Sequence, residues 1–103
     1  MNGYNHVVLV GQLASDPEEK AGKVRFTLAV STGKKKDDDK TQVDFINVVA
    51  CNNLGKLCSE YLEKGRRVLV DGELKVSGYE LHNQKKWRTE VQAENITFLQ
   101  DNK

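Results

Sequence analysis

The chain has 103 residues, of which 38% are apolar and 30% are charged, a composition typical of one soluble globular domain with a modest core. Lys and Arg number 16 against 15 Asp and Glu, so the net charge of +1 excludes nucleic-acid binding through overall charge and leaves only a local arrangement of cations. The two cysteines and two histidines match no metal-site spacing, and no catalytic triad or phosphate-binding loop is visible. We therefore expect no metal, no cofactor and no catalytic residues.

The N-terminal segment predicts a strand and no targeting sequence. No basic region precedes its apolar run, and the run is too short for a signal peptide or a membrane span, so we expect a cytoplasmic protein. Residues 6–10, HVVLV, form a continuous run rich in β-branched valine, typical of a strand that is buried on both faces or pairs with another subunit. Gly11 predicts a bulge or a tight bend, as a small closed barrel needs.

A second strand and a charged loop follow a turn at residues 15–18, which contains the only proline. The strand covers residues 24–31, and alternation places Val24, Phe26, Leu28 and Val30 on one face. Residues 33–40, GKKKDDDK, then form an exposed loop. Either Lys34, Lys35 and Lys36 reach phosphates, or they belong to a solvated hairpin tip, because the adjacent aspartates partly cancel their charge.

The third strand, residues 43–51, carries an aromatic residue on the face that should meet water. Its inner row is Ile46, Val48 and Ala50, and its outer row is Phe45, Asn47, Val49 and Cys51. An outer face that contacts only water should be polar. Phe45 therefore either stacks on a base or is buried under a subunit interface.

A short amphipathic helix follows the third strand. The apolar residues with helical spacing are Leu54, Leu57, Cys58, Tyr61 and Leu62. Asn53 is placed to cap the start of the helix and Gly65 to end it, so Lys64 would lie in the last turn, where the helix dipole favours a cation. Two or three turns would close one end of a barrel.

The C-terminal third predicts a long hairpin. A fourth strand covers residues 67–79, with an inner row of Val68, Val70, Gly72, Leu74 and Val76. Lys75 and Tyr79 lie on its outer face, and the polar residues 80–86 suit a projecting tip. The last strand begins near Trp87, which shares a face with Thr89 and Val91 and belongs either to the rim of the core or to a binding surface. Residues 96–99 give a separate short apolar stretch.

Five strands with one helix between the third and fourth is the order of the oligonucleotide/oligosaccharide-binding (OB) barrel, so we predict one all-β OB domain over residues 1–103. A helix-on-sheet α+β domain fits the same periodicity but leaves the rings and cations on the outer faces unexplained. Rings beside positive charge are what an unpaired nucleic acid requires.

Six short motifs, in order over nearly the whole chain, resemble the DNA-binding domain of bacterial single-stranded DNA-binding proteins. They are GQLASDPE at 11–18, FTLAVS at 26–31, DFINVV at 44–49, SEYLEKG at 59–65, VDGEL at 70–74 and TEV at 89–91. The resemblance implies an OB barrel, usually a homotetramer, that coats single strands with little sequence preference during replication, recombination and repair.

The resemblance also implies site residues. Phe45 and Tyr79 keep aromatic character at stacking positions, Trp87 aligns with a further aromatic, and Lys64 and Lys75 align with positions that are often basic.

The sequence departs from the family at four places. Lys34 and Cys51 stand where the family usually has aromatic residues, and Asn47 stands where it often has a cation. We therefore expect weaker stacking per subunit, which the charge of Lys34, Lys35 and Lys36 would offset. Family chains commonly continue into an acidic tail that recruits replication and repair proteins. This sequence stops at Lys103, so either it is a piece of a longer chain, with replication and repair proteins still possible partners, or the recruiting function is absent.

Together these observations predict a non-enzymatic single-stranded DNA-binding protein. The residues predicted to bind nucleic acid are Phe45, Tyr79, Trp87, Asn47, Lys34, Lys35, Lys36, Lys64, Lys75, Lys85, Lys86 and Arg88. The residues predicted to form the subunit contact, by edge pairing, are His6, Val7, Val8, Leu9 and Val10. The alternatives are a primosome-restart accessory protein on the same fold, and a barrel whose outer aromatics form an interface with another protein.

Overall fold

The secondary structure consists of six strands and one helix. The computed structural model describes residues 2–35 and 41–100. In chain order the elements are β1 (Val7–Leu13), β2 (Glu18–Lys20), β3 (Lys23–Lys35), β4 (Thr41–Cys51), α1 (Asn52–Tyr61), β5 (Arg67–Leu81) and β6 (Gln84–Phe98). Among the described helices, none is long and apolar enough to span a membrane.

Strand pairing closes the sheet into a barrel. The strands lie in the order β1-β5-β6-β4-β3-β2, and β1 also pairs with β3 at Gln12 and Leu13. All pairs are antiparallel except β4 with β6, which run parallel where Val48 meets Val91. The predicted OB barrel is confirmed, because five long strands close on themselves and the helix lies between the third and fourth of them. The short strand β2 was not predicted, and among the described strands it pairs with β3 alone.

The core is formed by the inward rows that alternation predicts. Its fully buried members include Val24 and Leu28 of β3, Val48 of β4, and Val68 and Val70 of β5. Each row comes from every second residue of a strand, because successive side chains point to opposite faces of a sheet. The barrel interior is therefore packed with aliphatic side chains.

Helix α1 packs against one end of the barrel. Gly55 and Cys58 are buried, and a Cβ added at Gly55 would lie 2.9 Å from the carbonyl oxygen of Ala50, so the helix lies close to the strand that precedes it. Burial also raises the pKa of the Cys58 thiol to about 11, so this thiol stays protonated near neutral pH.

The boundaries of α1 differ from those predicted. The N-cap residue is Cys51, and no side chain caps the helix. The helix ends at Tyr61, because Leu62 is already extended and the following turn is held to β1 by a hydrogen bond from the Gly65 N–H to the Leu13 carbonyl. Lys64 therefore lies beyond the helix and not in its last turn.

The apolar stripe of α1 is also only partly buried. Leu57 and Tyr61, predicted to face the core, are exposed. Leu54, Cys58 and Leu62, the other predicted members of the stripe, do pack on the core, and the buried Gly55 lies with them.

The β5–β6 hairpin projects beyond the barrel. Its turn is only His82 and Asn83, both with positive φ, so the strands continue through most of the predicted tip at residues 80–86. Leu74 and Val76, predicted for the inner row, are exposed because the hairpin has left the barrel at that point. Strand β3 likewise extends into the predicted loop at residues 33–40, and β4 begins at Thr41, two residues before the predicted third strand. Residues 36–40 lie outside the described part of the chain.

Two glycines mark close approaches of backbone. Of the bulge or tight bend predicted at Gly11, the bulge is absent, because β1 pairs with β5 through Gly11 without a register shift. A Cβ at Gly11 would collide with the Ala29 carbonyl oxygen, where β1 passes from β5 to β3. The irregularity lies instead where β5 changes register with β6, between Asp71 and Gly72. Because β6 continues through this bulge, residues 96–98 belong to it and do not form a separate stretch.

Strand β1 is not buried on both faces. Val7 and Leu9 pack against the core, whereas Val8 and Val10 are exposed on the outer face. The side chain of Asn5 extends the pairing with β5, since it accepts a hydrogen bond from the Leu74 N–H and donates one to the Leu74 carbonyl.

Candidate nucleic-acid interface

A groove lies on the outer face of the barrel, where β3 and β4 meet the β5–β6 hairpin. Its volume is about 260 Å³, and we call it the tyrosine groove because Tyr79 lines it. The cations that line it are Lys23, Arg25, Lys75 and Arg88. Although the whole chain carries a net charge of only +1, four cations and one ring meet in this groove.

Tyr79 lies on the groove side of the hairpin. It belongs to the outer row of β5 and stands opposite Lys86 of β6. The guanidinium of Arg88 lies 5.4 Å from the centroid of the Tyr79 ring, within the range of a cation–π contact. The residue as a whole is 42% exposed. Its exposed surface is therefore available to stack on a planar group.

Trp87 lies on the opposite side of the same hairpin. It stands opposite Gly78, and the Lys85 ammonium lies 4.8 Å from the ring centroid. Alternation predicted that Trp87 lies on the same face of its strand as Thr89 and Val91, and this placement is correct. Trp87 is nevertheless 63% exposed and does not join the rim of the core, because the hairpin extends beyond the barrel here.

Phe45 is the third exposed ring. It belongs to the outer row of β4, stands opposite Ala29 of β3, and is 67% exposed in the single chain. Asn47, two residues along the same row, lines a second groove of about 400 Å³ together with Arg25 and Arg88. We call this the asparagine groove. The row from Phe45 along β4 thus leads to the hairpin.

An ion pair that was not predicted separates the two grooves. Arg25 of β3 donates from Nε to Oε2 of Glu90 at 2.7 Å and from Nη2 to Oε1 at 3.4 Å. Strand β4 lies between these partners, and its outward residue Val49 is only 5% exposed, although alternation predicts an outer position. The hydrogen bond to Glu90 raises the pKa of Arg25 above its ordinary value, so the guanidinium stays charged.

Sequence reasoning therefore missed Lys23, Arg25 and Glu90. Alternation places Arg25 on the outer face of its strand, and Glu90 lies within the TEV motif, so each residue gave a weak signal. Nothing in the sequence indicated that Arg25 and Glu90 pair with each other. The two residues are 65 positions apart in the chain, and their strands are separated by one intervening strand in the sheet.

The remaining predicted cations fall into three groups. Lys75, Lys85, Lys86 and Arg88 all lie on the hairpin, as predicted. Lys64 lies apart from the tyrosine groove, in the turn after α1, where its N–H donates to Oδ1 of Asp16 at 2.8 Å. The backbones of Lys34 and Lys35 belong to β3, while their side chains and the whole of Lys36 lie outside the described part of the structure.

Comparison with known proteins gives consistent matches. The model of the single-strand binding protein family matches residues 4–99. The single-stranded DNA-binding protein of Treponema pallidum is 39% identical over 105 residues, covering 96% of this chain and 60% of that protein. Single-stranded DNA-binding protein A of Bacillus subtilis is 38% identical, covering 93% of this chain and 59% of that protein. The chain thus spans about 60% of the length of these relatives.

A solved structure, described as the Plasmodium falciparum SSB complex with ssDNA, superposes with a TM-score of 0.82 at 27% identity and covers 97% of this chain and 98% of that chain. The resemblance seen in six motifs is confirmed by the family match over nearly the whole chain. This protein belongs to the single-strand binding protein family.

Proposed function

We propose that this protein binds single-stranded DNA with little sequence preference and protects it during replication, recombination and repair. The observation that best supports this proposal is the tyrosine groove, where an exposed ring lies beside four cations. The relatives, named as single-stranded DNA-binding proteins, support the same ligand. The protein acts as a non-enzymatic binding module in the cytoplasm, on nucleoid DNA.

The mechanism combines stacking with charge. Phe45, Tyr79 and Trp87 offer ring surface to bases, and stacking is tolerant of sequence because every base has a π-face. Lys75, Lys86 and Arg88 attract the backbone phosphates. Each stacked base contributes about 1–3 kcal/mol, so three rings give one subunit moderate affinity before charge is added.

A titration with oligo-dT tests this proposal directly. Trp87 is the only tryptophan, so its fluorescence reports binding at the hairpin. We expect oligo-dT to quench this fluorescence strongly in low salt and the quenching to saturate at stoichiometric DNA. A duplex of equal length should cause little quenching.

Anisotropy of a labelled oligo-dT provides an independent measure of the same binding. Absence of binding in both measurements would contradict the proposal and favour the protein-interaction barrel. Weak binding that never saturates at stoichiometric DNA would favour the primosome-restart accessory protein.

We further propose that β1 joins subunits by edge pairing into a homotetramer. Among the described residues, β1 pairs with β3 only at Gln12 and Leu13, which leaves its edge at residues 7–11 without a strand partner. An unpaired edge is a ready template for another chain. Val8 and Val10 add exposed apolar surface to the same strand. Several linked sites would raise the affinity for a long single strand considerably.

A charged edge should separate the subunits. We expect the Val8→Lys/Val10→Lys variant to sediment as a smaller species than the parent chain, because symmetric pairing brings the same strand of two copies together and places like charges close to each other. Val43→Lys, at an exposed valine of β4, serves as the matched control. A parent chain that sediments as a monomer would show that the assembly proposal is wrong.

A further inference from the structure

We infer that the Arg25–Glu90 pair forms a platform for a nucleobase on the outer face of the barrel, with Glu90 as its positioning residue. This inference rests on the proposed function and assigns one base-binding position within it. The ligand is the flat face of a purine or pyrimidine in an unpaired strand.

The pair lies in the path that joins the exposed rings. Its partners come from β3 and β6, so the Arg25 side chain crosses β4 to reach Glu90. Arg25, Arg88 and Glu90 line both the tyrosine groove and the asparagine groove, which places the pair between them. A single DNA strand bound from Phe45 to Tyr79 would therefore pass over the Arg25–Glu90 pair.

Between the two grooves, the planar group available to stack on a base is the guanidinium of Arg25. The outward residues of β4 after Phe45 are Asn47, Val49 and Cys51, and none of them has a ring. Val49 is almost fully covered, as expected if the Arg25 side chain lies along the sheet surface above it. The Arg25 side chain keeps 34% of its own surface exposed.

Glu90 gives this guanidinium a defined orientation. Two nitrogens of one planar group donate to the two oxygens of one carboxylate, which restricts rotation of the plane. Glu90 is the one buried charged side chain in the described chain, at 7% exposure, so its carboxylate is itself held in place. Arginine planes are known stacking surfaces for unpaired bases. Because Glu90 neutralises the charge of Arg25, the pair contributes a plane and little net attraction for phosphate.

Two substitutions test the platform by affinity for oligo-dT in low salt. Arg25→Lys keeps the charge and removes the plane, so we expect affinity to fall about 5-fold or more, the lower bound for one stacked base, with an unchanged salt dependence. Glu90→Gln releases the guanidinium, so affinity should also fall, although the groove becomes more positive. Arg67→Lys on β5, outside both grooves, is the matched control and should bind like the parent chain.

An NMR measurement separates a positioning role from a purely structural one. In the parent chain the Arg25 Nε–H signal should shift upfield when oligo-dT is added, because a base above the plane imposes a ring-current shift. In Glu90→Gln this shift should be lost while thermal unfolding stays cooperative. Should Glu90→Gln fail to fold, Arg25→Lys and the signal in the parent chain still decide the question.

Each outcome bears on one proposal. Tighter binding by Glu90→Gln would overturn the inference, since Glu90 would then only mask a phosphate-binding cation. Parent-like affinity of Arg25→Lys, or an Arg25 signal that does not move, would also overturn it. If the parent chain binds oligo-dT and Tyr79→Ala weakens that binding, these results remove the platform alone. If the parent chain does not bind, the proposed function fails as well.

Discussion

The Tyr79→Ala/Trp87→Ala double variant is expected to bind oligo-dT about 30-fold to more than 10⁴-fold more weakly than the parent chain, because each ring stacks one base worth about 1–3 kcal/mol. The two contributions should add, since the rings lie on opposite faces of the β5–β6 hairpin. Each ring also has its own cation, Arg88 beside Tyr79 and Lys85 beside Trp87. The double variant therefore removes two separate stacking positions.

Fluorescence anisotropy of a labelled oligo-dT measures this loss for the double variant and both single variants. Tyr61→Ala, at an exposed tyrosine of α1, is the matched control and should leave affinity unchanged. If one single variant loses as much as the double, the DNA passes along only one face of the hairpin. Parent-like affinity of the double variant would exclude the hairpin from the binding surface.

Salt should weaken binding steeply. Four cations that no ion pair in the described chain neutralises lie on the groove side, namely Lys23, Lys75, Lys86 and Arg88. Counterion release from a single strand gives a slope of about −0.7 per phosphate contact, so four contacts predict a loss of about 600-fold for a tenfold rise in salt. Arg25 is left out of this count because Glu90 neutralises it.

The slope of log affinity against log salt concentration checks this count. Lys75→Gln should reduce the magnitude of the slope by about 0.7, because it removes one phosphate contact. Lys56→Gln on α1, outside the tyrosine groove, should leave the slope unchanged. An affinity that does not depend on salt would argue against phosphate binding in this groove.

Regular alternation made the barrel interior predictable. Val24, Leu28, Val48, Val68 and Val70 follow every second position of their strands and are fully buried, as the pattern requires. The same rule placed Phe45 and Tyr79 on outer faces and Trp87 on the other face of the hairpin. The binding role of these rings stays a prediction, while their positions follow from parity alone.

Boundaries were less predictable, because they depend on contacts that are distant in sequence. The turn after α1 is held to Leu13 of β1, which ends the helix before the glycine that should have capped it. Leu74 and Val76 continue the inward pattern of Val68 and Val70 and yet are exposed. The reason is that β5 leaves the barrel between Val70 and Leu74. Nothing local distinguishes the two halves of that strand.

Within each regular stretch of strand, the sequence by itself determined which side a residue occupies, because alternation is a property of one strand; a bulge such as the one in the β5–β6 pairing resets it. Only the tertiary structure decided what lies over each side. It covered the outward Val49, exposed the inward-patterned Val76, and brought Arg25 to Glu90 across an intervening strand. The reason is physical: burial and ion pairing depend on which strands become neighbours, and closing the barrel joins residues that are far apart in the chain.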